Sequence, residues 1–322
     1  MVTKEMIERQ LPYCLAGTKF TNLGEVYEGK VRDNYTRGDT RIIVVTDRLS
    51  AFDRVLTKLP FKGQVLNQLA TFWFNQTKDI IGNHMIESPD PNVIVGRQCT
   101  AMPVEMIVRG YLTGSTTTSA WYNYEKGVRH FCGNVLPEGL KKDQKFENPI
   151  ITPTTKAELG AHDEMISKEE IVASGLVSKE DFERMAEAAL KLYARGVEVA
   201  AKQGIILVDT KYEFGKTKDG ELILIDEMHT PDSSRFWYAD EYEKRFNAGE
   251  DQKRIDKDFV RNWYIERGYR GDGEVPQITE DVRVEGARRY VEAYELITGQ
   301  EFVAEVGDPL PRIEKNLAKY MQ

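Results

Sequence analysis

The chain has 322 residues, of which 41% are hydrophobic and 30% are charged, and its formal net charge is −8. This length supports a large buried core and favours two domains or lobes, and the composition is typical of a globular protein with little disorder. The acidic balance argues against nucleic acid and anionic membranes as partners, because both require a basic patch.

Strand-type residues dominate the first hundred positions. Residues 4–15 predict a short helix, and residues 24–35 predict a strand–turn–strand unit around Gly29. A glycine at such a turn lets backbone amides approach a ligand, and Lys30 and Arg32 alternate onto one face, as in a loop over nucleotide phosphates. An ordinary turn is the alternative, and it is the commoner interpretation of one glycine beside a lysine.

A buried strand predicted over residues 41–46 is followed directly by polar side chains. Polar residues just past a buried strand are common material for a functional site. A helix cap with a structural ion pair is an equally good interpretation. The sequence leaves both interpretations open for Asp47, Arg48, Ser50 and Asp53.

A second polar loop follows the next predicted elements. Residues 64–78 predict an amphipathic helix, and strands are predicted over residues 93–97 and 104–108. The last strand runs into the loop from Arg109 to Ser115, which combines an arginine, two glycines and two hydroxyl groups. We interpret this loop as a candidate anion-binding site, with a purely structural loop as the alternative.

The middle of the chain is predicted to contain connecting segments, and the end of the chain is predicted to contain helices that support the rest of the fold. Glycines and prolines punctuate residues 133–153, which predicts an irregular connection, and His162 is interpreted as hydrogen-bonded scaffold. Residues 178–202 predict a long helix with Ser178 as its N-cap. Past residue 237, we predict charged helices that serve as scaffold near residues 239–246, 256–266 and 279–297.

The stretch before these helices carries the strongest site signal. Two strand-type runs flank a loop with a glycine at each end, which predicts a β-hairpin over residues 205–228. Side chains alternate between the two faces of a strand, so Asp209, Lys211 and Glu213 share one face.

The pairing of this hairpin decides whether another carboxylate joins that face. If Phe214 pairs with Glu221, Asp226 lies opposite Asp209. Carboxylates this close repel each other unless a cation compensates, and one or two carboxylates with substrate phosphates are the usual Mg²⁺ arrangement. We therefore predict a metal–phosphate site, with solvated charges on an open hairpin face as the alternative.

The loop that leaves the hairpin is suited to gripping an anion. Ser233 and Ser234 supply hydroxyl donors, and Arg235 supplies a planar fork that matches phosphate oxygens bidentately. In an acidic protein, two loops of this kind favour a phosphorylated substrate.

The remaining features concern compartment and cysteine chemistry. No apolar stretch is long enough to span a membrane, and residues 1–10 carry charges where a secretory signal would be apolar, so we expect a cytoplasmic protein. Cys14, Cys99 and Cys132 lie far apart without CxxC spacing, which predicts free thiols and neither a disulfide framework nor a zinc site.

Six ordered motifs between residues 24 and 237 resemble those of the phosphoribosylaminoimidazole-succinocarboxamide synthase family. They read GKVRDNY, TDRLSAFD, VEMIVRGYLTGS, TPTTKAE with HDE, DTKYEFG and DEMHTPDSSRFW. The resemblance implies an ATP-dependent ligase of purine biosynthesis that joins carboxyaminoimidazole ribonucleotide (CAIR) to L-aspartate, with Mg²⁺ as cofactor. Its expected partners are these small molecules, with no nucleic acid and no membrane.

The resemblance also implies an α+β fold with two lobes, similar in outline to protein kinases. A β-rich lobe over residues 1–108 is expected to cover the nucleotide. An α+β lobe over residues 109–322 is expected to hold substrate, metal and a helical C-terminal tail, in a monomer or a small homo-oligomer. A true kinase would share the lobes, but the sequence lacks HRD and DFG motifs, and a catalytically silent nucleotide-binding protein should have lost the metal carboxylates.

The family pattern implies roles for individual residues. The ATP contacts correspond to Gly29, Lys30, Arg32, Glu105 and Lys156. The grip on the ribonucleotide phosphate corresponds to Arg109, Ser115, Ser234 and Arg235. The metal carboxylates correspond to Glu213 and Asp226, and the groups nearest the reacting atoms to Lys211, Asp53 and Asp232. His229 departs from the expected pattern, and its contact with substrate is left open.

The implied chemistry starts from a carboxylate, which is a poor electrophile at neutral pH. The need for ATP indicates transfer of the γ-phosphoryl group to that carboxylate, giving an acyl phosphate that the amine of aspartate attacks. Positioning and charge stabilisation would supply most of the rate, and no covalent enzyme nucleophile is required.

Overall fold

The protein is described by a computed structural model over residues 2–52, 54–156, 164–255 and 258–321. Helices and antiparallel strands form the α+β fold that the resemblance implies. The strands are β1 Glu25–Glu28, β2 Arg32–Arg37, β3 Thr40–Val45, β4 Arg48–Ala51, β5 Arg54–Lys58, β6 Met85–Asp90, β7 Val93–Arg97, β8 Thr100–Leu112, β9 His130–Phe131, β10 Asn134–Val135, β11 Gln144–Ile151, β12 Thr154–Thr155, β13 Ile205–Lys216, β14 Leu222–Ile225 and β15 Ser234–Tyr238. The helices are α1 Lys4–Gln10, α2 Lys62–Thr77, α3 Ala120–Glu125, α4 Lys168–Ala173, α5 Lys179–Lys202, α6 Ala239–Ala248, α7 Asp258–Glu266, α8 Glu280–Thr298 and α9 Pro309–Leu317, with 3₁₀ turns at Leu11–Tyr13 and Ala318–Tyr320.

The first sheet has the strand order β1-β2-β3-β7-β6 and is covered on both faces. Successive side chains of β3 point to opposite faces. Ile43 and Val45 join the large core that contains α2, whereas Ile42 and Val44 form a second cluster with the C-terminal helix α9. The C-terminal helix therefore packs against the first sheet, far from its position in sequence.

The second sheet has the order β11-β8-β13-β14, with β15 paired to β13 and β12 paired to β8. The long helix α5 packs against β8 and β13. Ser178 caps this helix as predicted, because its hydroxyl accepts the backbone N–H of Asp181. The central strand β13 is thus held from one side by a helix and from both edges by strands.

Residues 133–153 are partly regular, and the predicted irregular connection is wrong there. They contain β10 and β11, and β11 pairs with β8. The β11 register shifts between Lys145 and Ile150, and Pro149 lies in this irregularity. Proline lacks the N–H that a ladder needs, so it is tolerated in a strand mainly at such bulges. Because of this proline, the sequence does not indicate a strand here.

Other predictions hold with shifted ends. The first helix ends at Gln10, earlier than predicted, and the strand predicted over residues 104–108 is the longer β8. The three cysteines are free thiols, as predicted.

None of the helices in the described part of the chain combines the length and the apolarity that crossing a membrane requires.

Candidate functional site

The predicted hairpin exists, but its predicted register is wrong. Phe214 pairs with Leu224 and not with Glu221, and the turn closes where the N–H of Thr217 donates to the carbonyl of Glu221. Asp226 consequently lies beyond the last pair of the hairpin and not opposite Asp209. The face of β13 that carries Asp209, Lys211 and Glu213 is nevertheless lined with charge, as predicted.

A cluster of alternating charges, with buried glutamates and more exposed lysines, surrounds Lys211. Its Nζ lies 2.7 Å from Glu105 Oε1 and 2.6 Å from Glu213 Oε1, and these two glutamates are directly opposed across β8 and β13. Lys156 forms a further ion pair with Glu213. The Thr154 hydroxyl donates to Glu105 Oε2 at 3.3 Å. Four of the predicted site residues are thus brought into one network.

The electrostatics of this cluster keep both signs of charge in place. Burial opposes the charged form of Glu213, but the ammonium groups of Lys211 and Lys156 outweigh it and hold the pKa of Glu213 well below its ordinary value. Burial likewise opposes the charge on Lys211, yet Glu213 and Glu105 outweigh it and raise the pKa of Lys211. Glu213 is therefore an ionised carboxylate at neutral pH.

The predicted glycine turn faces the end of β14. Arg32 forms ion pairs with Asp226 and with Glu227, the second at 2.8 Å between Nη2 and Oε2. Asp226 adopts a left-handed backbone with φ of 65°, a conformation that is strained for a non-glycine residue and often occurs at functional sites. This strained turn directs Asp226 toward the loop that starts at Gly29.

That loop is held by an arginine that the sequence left undecided. The Arg48 guanidinium donates to the carbonyls of Gly29 at 2.9 Å and Lys30 at 3.0 Å, and to Asp33 Oδ1 at 2.8 Å. The Lys30 residue itself is exposed. The neighbouring Asp47 is structural, because its carboxylate accepts the N–H of Gly63 in the first turn of α2 at 2.8 Å, although the N-cap residue of that helix is Phe61.

The two predicted anion loops meet at the other end of the same face of β13. Asp209 is paired with Arg109 on β8 and with Arg235 on β15, so one carboxylate lies between two guanidinium groups. The Arg109 Nη1 lies 3.6 Å from Asp209 Oδ2, and its Nε donates to Thr152 Oγ1 at 2.7 Å. Burial lowers the pKa of Arg109 to about 10, which still leaves it charged at neutral pH.

The serines of these loops are placed differently from each other. Ser115 is exposed and follows Gly114. The φ of Gly114 is 96°, and a Cβ atom at this position would lie only 2.4 Å from the Ser119 hydroxyl oxygen. Only glycine suits that position. Ser234 is buried, and its hydroxyl donates to Thr210 Oγ1 at 2.8 Å. Ser234 therefore fixes the start of β15 beside Arg235.

Asp232 is bound by two residues that sequence reasoning missed. Lys62 Nζ lies 2.9 Å from Asp232 Oδ2, and the Tyr290 hydroxyl donates to Asp232 Oδ1. Lys62 begins helix α2, two residues before the predicted start of that helix, and Tyr290 lies in the tail interpreted as scaffold. No local pattern indicates a site role for either residue. Asp53, which is predicted to lie near the reacting atoms, and His162, which is interpreted as scaffold, lie outside the described residues.

His229 belongs to the core, which answers the open question about its contacts in this structure. It is fully buried, its Nε2 lies 2.5 Å from the Tyr212 hydroxyl, and its ring packs edge-on against Trp73. Burial lowers the pKa of His229 to about 3. A second histidine, His84, is also buried, and burial together with nearby arginines lowers its pKa to about 3.

These buried histidines predict a loss of stability in acid. Between pH 6.5 and 3 the unfolded chain binds a proton on each histidine that the folded chain does not, so stability falls as pH falls through this window. When the pH falls from 7.5 to 5.5, the free energy of unfolding of the wild type should fall by about 1.4 kcal/mol more than that of His84→Phe. Urea unfolding at the two pH values measures this difference.

The exposed His130 supplies the control for this prediction, since it lies at the surface. His130→Phe is expected to keep the wild-type difference between the two pH values. If the unfolding free energy of His84→Phe also differed between the two pH values by as much as that of the wild type, His84 would not contribute to acid sensitivity.

The donor set at this site fits a metal bound together with a substrate. Within the described ranges, no group of three or more His, Cys, Asp or Glu side chains is arranged to hold a metal by itself. Mg²⁺ commonly takes only one or two carboxylates and completes its shell with phosphate oxygens and water. Glu213 pairs with Ile225, the last residue of β14, and Asp226 follows that residue directly. Glu213 is also ionised, so these two carboxylates suit this role.

Comparison with known proteins shows which family the chain is similar to. A family model described as SAICAR synthetase matches residues 25–278. A phosphoribosylaminoimidazole-succinocarboxamide synthase of Legionella pneumophila (strain Paris) is 48% identical over 97% of this chain and 100% of its own length. One from Bacteroides fragilis (strain ATCC 25285) is 51% identical over 96% of this chain and 99% of its own length.

Solved structures give the same result. The SAICAR synthase of Saccharomyces cerevisiae complexed with SAICAR superposes with a TM-score of 0.76 at 35% identity, covering 90% of this chain and 100% of that one. A SAICAR synthetase in complex with ADP superposes with a TM-score of 0.65 at 27% identity, covering 87% of this chain and 100% of that one.

Proposed function

The chain belongs to the SAICAR synthetase family and is an ATP-dependent carbon–nitrogen ligase of purine biosynthesis, and we propose that the charged face of β13 is where it joins CAIR to L-aspartate. One observation carries this proposal. The face holds a lysine–carboxylate cluster at Glu213 and a pair of arginines at Asp209, with Lys211 between them. Four residues of strand span about 13 Å, which separates two anion sites with room for a reacting group between them.

The end at Glu213 is the ATP end in this proposal. Lys156 and Lys211 offer ammonium groups to the phosphates. The loop of Gly29 and Lys30, which Arg48 holds in shape, covers the phosphates.

Two further residues flank this end. Arg32, which pairs with Asp226, approaches the phosphates from the same side. Glu105, on β8, orients Lys211. The ADP complex of a relative supports nucleotide binding by this fold.

We assign Mg²⁺ to Glu213 and Asp226, with the phosphates of ATP completing its shell. The bound ion would neutralise phosphate charge during transfer of the phosphoryl group. Lys156 and Lys211 pair with Glu213, and Arg32 pairs with Asp226. The basic side chains that would donate to the phosphates therefore lie beside the carboxylates assigned to the metal.

The end at Asp209 is the ribonucleotide end. Arg109 and Arg235 converge there, and both guanidinium groups can donate bidentately to a phosphate. Ser115 is exposed on the adjoining loop and is available as a further donor. Asp209 holds the two arginines close together in spite of their mutual repulsion. Ser234 contributes through its bond to Thr210, which fixes the strand that carries Arg235.

The chemistry follows from this placement. A carboxylate oxygen of CAIR attacks the γ-phosphorus of ATP, ADP leaves, and an acyl phosphate forms. The amine of L-aspartate then attacks the acyl carbon, and phosphate leaves with the original carboxylate oxygen. Lys211, between the two ends, offsets the negative charge of the carboxylate and the transferring group. Asp232 and Asp53 are proposed to orient the imidazole carboxylate or amine.

Arg235→Lys tests the ribonucleotide end. Lysine keeps the charge but loses the bidentate fork, so we expect CAIR binding to weaken by roughly 1–3 kcal/mol with little change for ATP. Calorimetric titration with each ligand measures both affinities. Arg245→Lys is the matched control, because Arg245 pairs with Glu241 on helix α6. A collapse of ATP affinity with CAIR unaffected would show that the two phosphate ends are exchanged.

Omission of single substrates tests the function itself. With Mg-ATP, CAIR and L-aspartate, the protein should release ADP, phosphate and the succinocarboxamide product in equal amounts, and it should form no product without L-aspartate. A stable phosphorylated product made without an amine would indicate a kinase. No ATP consumption under any combination would indicate a binding protein.

The finer cellular assignments rest on the same proposal. All substrates are small polar molecules, so we place the enzyme in the cytoplasm, without nucleic-acid or membrane partners. A monomer or a small homo-oligomer is expected, and light scattering should give 36.9 kDa or a small multiple of it.

A further inference from the structure

The carboxylate of Asp232 is held at both oxygens by residues from distant parts of the chain. Oδ2 lies 2.9 Å from Nζ of Lys62, which belongs to the first turn of α2. Oδ1 accepts the hydroxyl of Tyr290, which belongs to α8 in the C-terminal tail. The Lys62 ammonium also lies 5.4 Å from the centre of the Tyr290 ring. These three side chains form one contact network.

The exposures within this network are unequal. The Lys62 side chain is 0% exposed, whereas the Asp232 side chain is 11% exposed. Burying an ammonium group is costly unless an anion compensates it. Lys62 therefore cannot reach a substrate in this arrangement, while Asp232 keeps a surface open to one. Any effect of Lys62 or Tyr290 on a substrate has to pass through Asp232.

The position of Asp232 links the two ends of the proposed site. It lies in the loop between β14 and β15, six residues after the metal candidate Asp226 and three residues before Arg235. Within this loop, the bonds between Thr230 and Ser233 are hydroxyl and backbone contacts of 3.2–3.3 Å. The charge-assisted contacts to Lys62 and Tyr290 are stronger anchors than these neutral ones.

The substrates give a reason for such an anchor. CAIR, ATP and L-aspartate all carry negative charge, so a carboxylate that faces them is pushed away from the site. A buried ammonium behind the carboxylate offsets that repulsion, and a tyrosine hydroxyl fixes its rotation. A carboxylate held in this way accepts a hydrogen bond from an amine of a substrate in a defined direction.

We propose that Lys62 and Tyr290 are positioning residues that hold Asp232 toward the imidazole substrate, which makes helix α8 part of the active site. The inference rests on the proposed ligase function and adds two residues to it. It also changes the role of the C-terminal tail, which the sequence indicated only as scaffold.

Tyr290→Phe tests this assignment, because it removes the hydroxyl and keeps the ring. We expect kcat/KM for CAIR to fall about tenfold, as for loss of a hydrogen bond to a charged group, while KM for ATP stays within about twofold. Tyr294→Phe is the matched control. Tyr294 lies one turn further along α8, is also buried, and packs against Phe302. It should keep wild-type kinetics.

A double-mutant cycle separates positioning from a general structural effect. If Tyr290 acts through Asp232, adding Tyr290→Phe to Asp232→Asn should lower kcat/KM by less than about twofold further. A purely structural role would lower the melting temperature without this coupling. If the effects of Tyr290→Phe and Asp232→Asn on kcat/KM were fully additive, the inference would be overturned. Equal kinetics of Tyr290→Phe and Tyr294→Phe in an active enzyme would also overturn it, and both results would leave the proposed ligase function standing. A wild-type protein that forms no product would instead overturn the proposed function and this inference with it.

Discussion

Glu213→Gln is expected to lower kcat by at least about a hundredfold while the protein remains folded. The neutral amide keeps the shape of the side chain but removes the charge that we assign to Mg²⁺ and that now balances Lys211 and Lys156. Asp226→Asn is expected to have an effect of the same order, because it removes the second proposed metal carboxylate. Steady-state turnover as a function of Mg²⁺ concentration measures both variants.

Glu221→Gln is the matched control for this prediction. Glu221 is a half-exposed glutamate of the same hairpin and pairs with Arg97, away from the lysine cluster. It should show wild-type turnover. Near-normal turnover with normal Mg²⁺ dependence in both Glu213→Gln and Asp226→Asn would remove the metal assignment.

Lys211→Met is expected to have the largest effect, a loss of turnover of about a thousandfold or more. Lys211 is the cation between Glu105 and Glu213, and in the proposed reaction it is also the cation between ATP and CAIR. Without it, the two opposed glutamates repel each other. One of them then binds a proton more readily, so the residual activity should be lost at a higher pH than in the wild type as the solution is acidified.

The pH dependence of this loss has a defined sign. In the wild type, Lys211 and Lys156 outweigh burial and hold the pKa of Glu213 low, so the charged form persists in mild acid. When turnover is measured from pH 5 to 9, the loss of activity in acid should therefore begin at a higher pH in Lys211→Met and in no other variant of this comparison. Lys216→Met, on the same strand and paired with Asp181, is the control. An unshifted acid limb with wild-type turnover would show that Lys211 does not hold the two glutamates.

Much of the site was predictable because its signals are local. Strand alternation places Asp209, Lys211 and Glu213 on one face whatever the fold around them, and the structure keeps them there. The loops of Arg109 and Arg235 were predicted separately as anion sites. That they meet at Asp209 could not be predicted, because the pairing of three strands is a tertiary property.

The prediction of the hairpin register is wrong for an identifiable reason. All four residues of β14, from Leu222 to Ile225, are buried, so hydrophobic alternation did not distinguish one face from the other. The strand β13 also continues through Gly215 and Lys216, which pair with Ile223 and Leu222. The prediction ended the strand too early and placed the turn too close to Phe214.

Long-range contacts account for the rest of what was missed. The helical pattern of the tail predicts α8, but it does not indicate that Tyr290 reaches the loop of Asp232. The sequence allows Arg48 either a structural or a functional role, and its bonds to the carbonyls of Gly29 and Lys30 give it a structural role in the loop proposed to cover ATP.

The proposed route through an acyl phosphate is tested most directly by oxygen-18 in the carboxylate of CAIR. In that route one carboxylate oxygen leaves with phosphorus, so each amide formed should release one labelled phosphate, seen by mass spectrometry or by the isotope shift in ³¹P NMR. We predict stoichiometric transfer of label in the wild type whenever L-aspartate and Mg-ATP are both present. Succinocarboxamide product accompanied by unlabelled phosphate would contradict phosphoryl transfer to the carboxylate, and the absence of product would contradict the assignment of this site as a ligase.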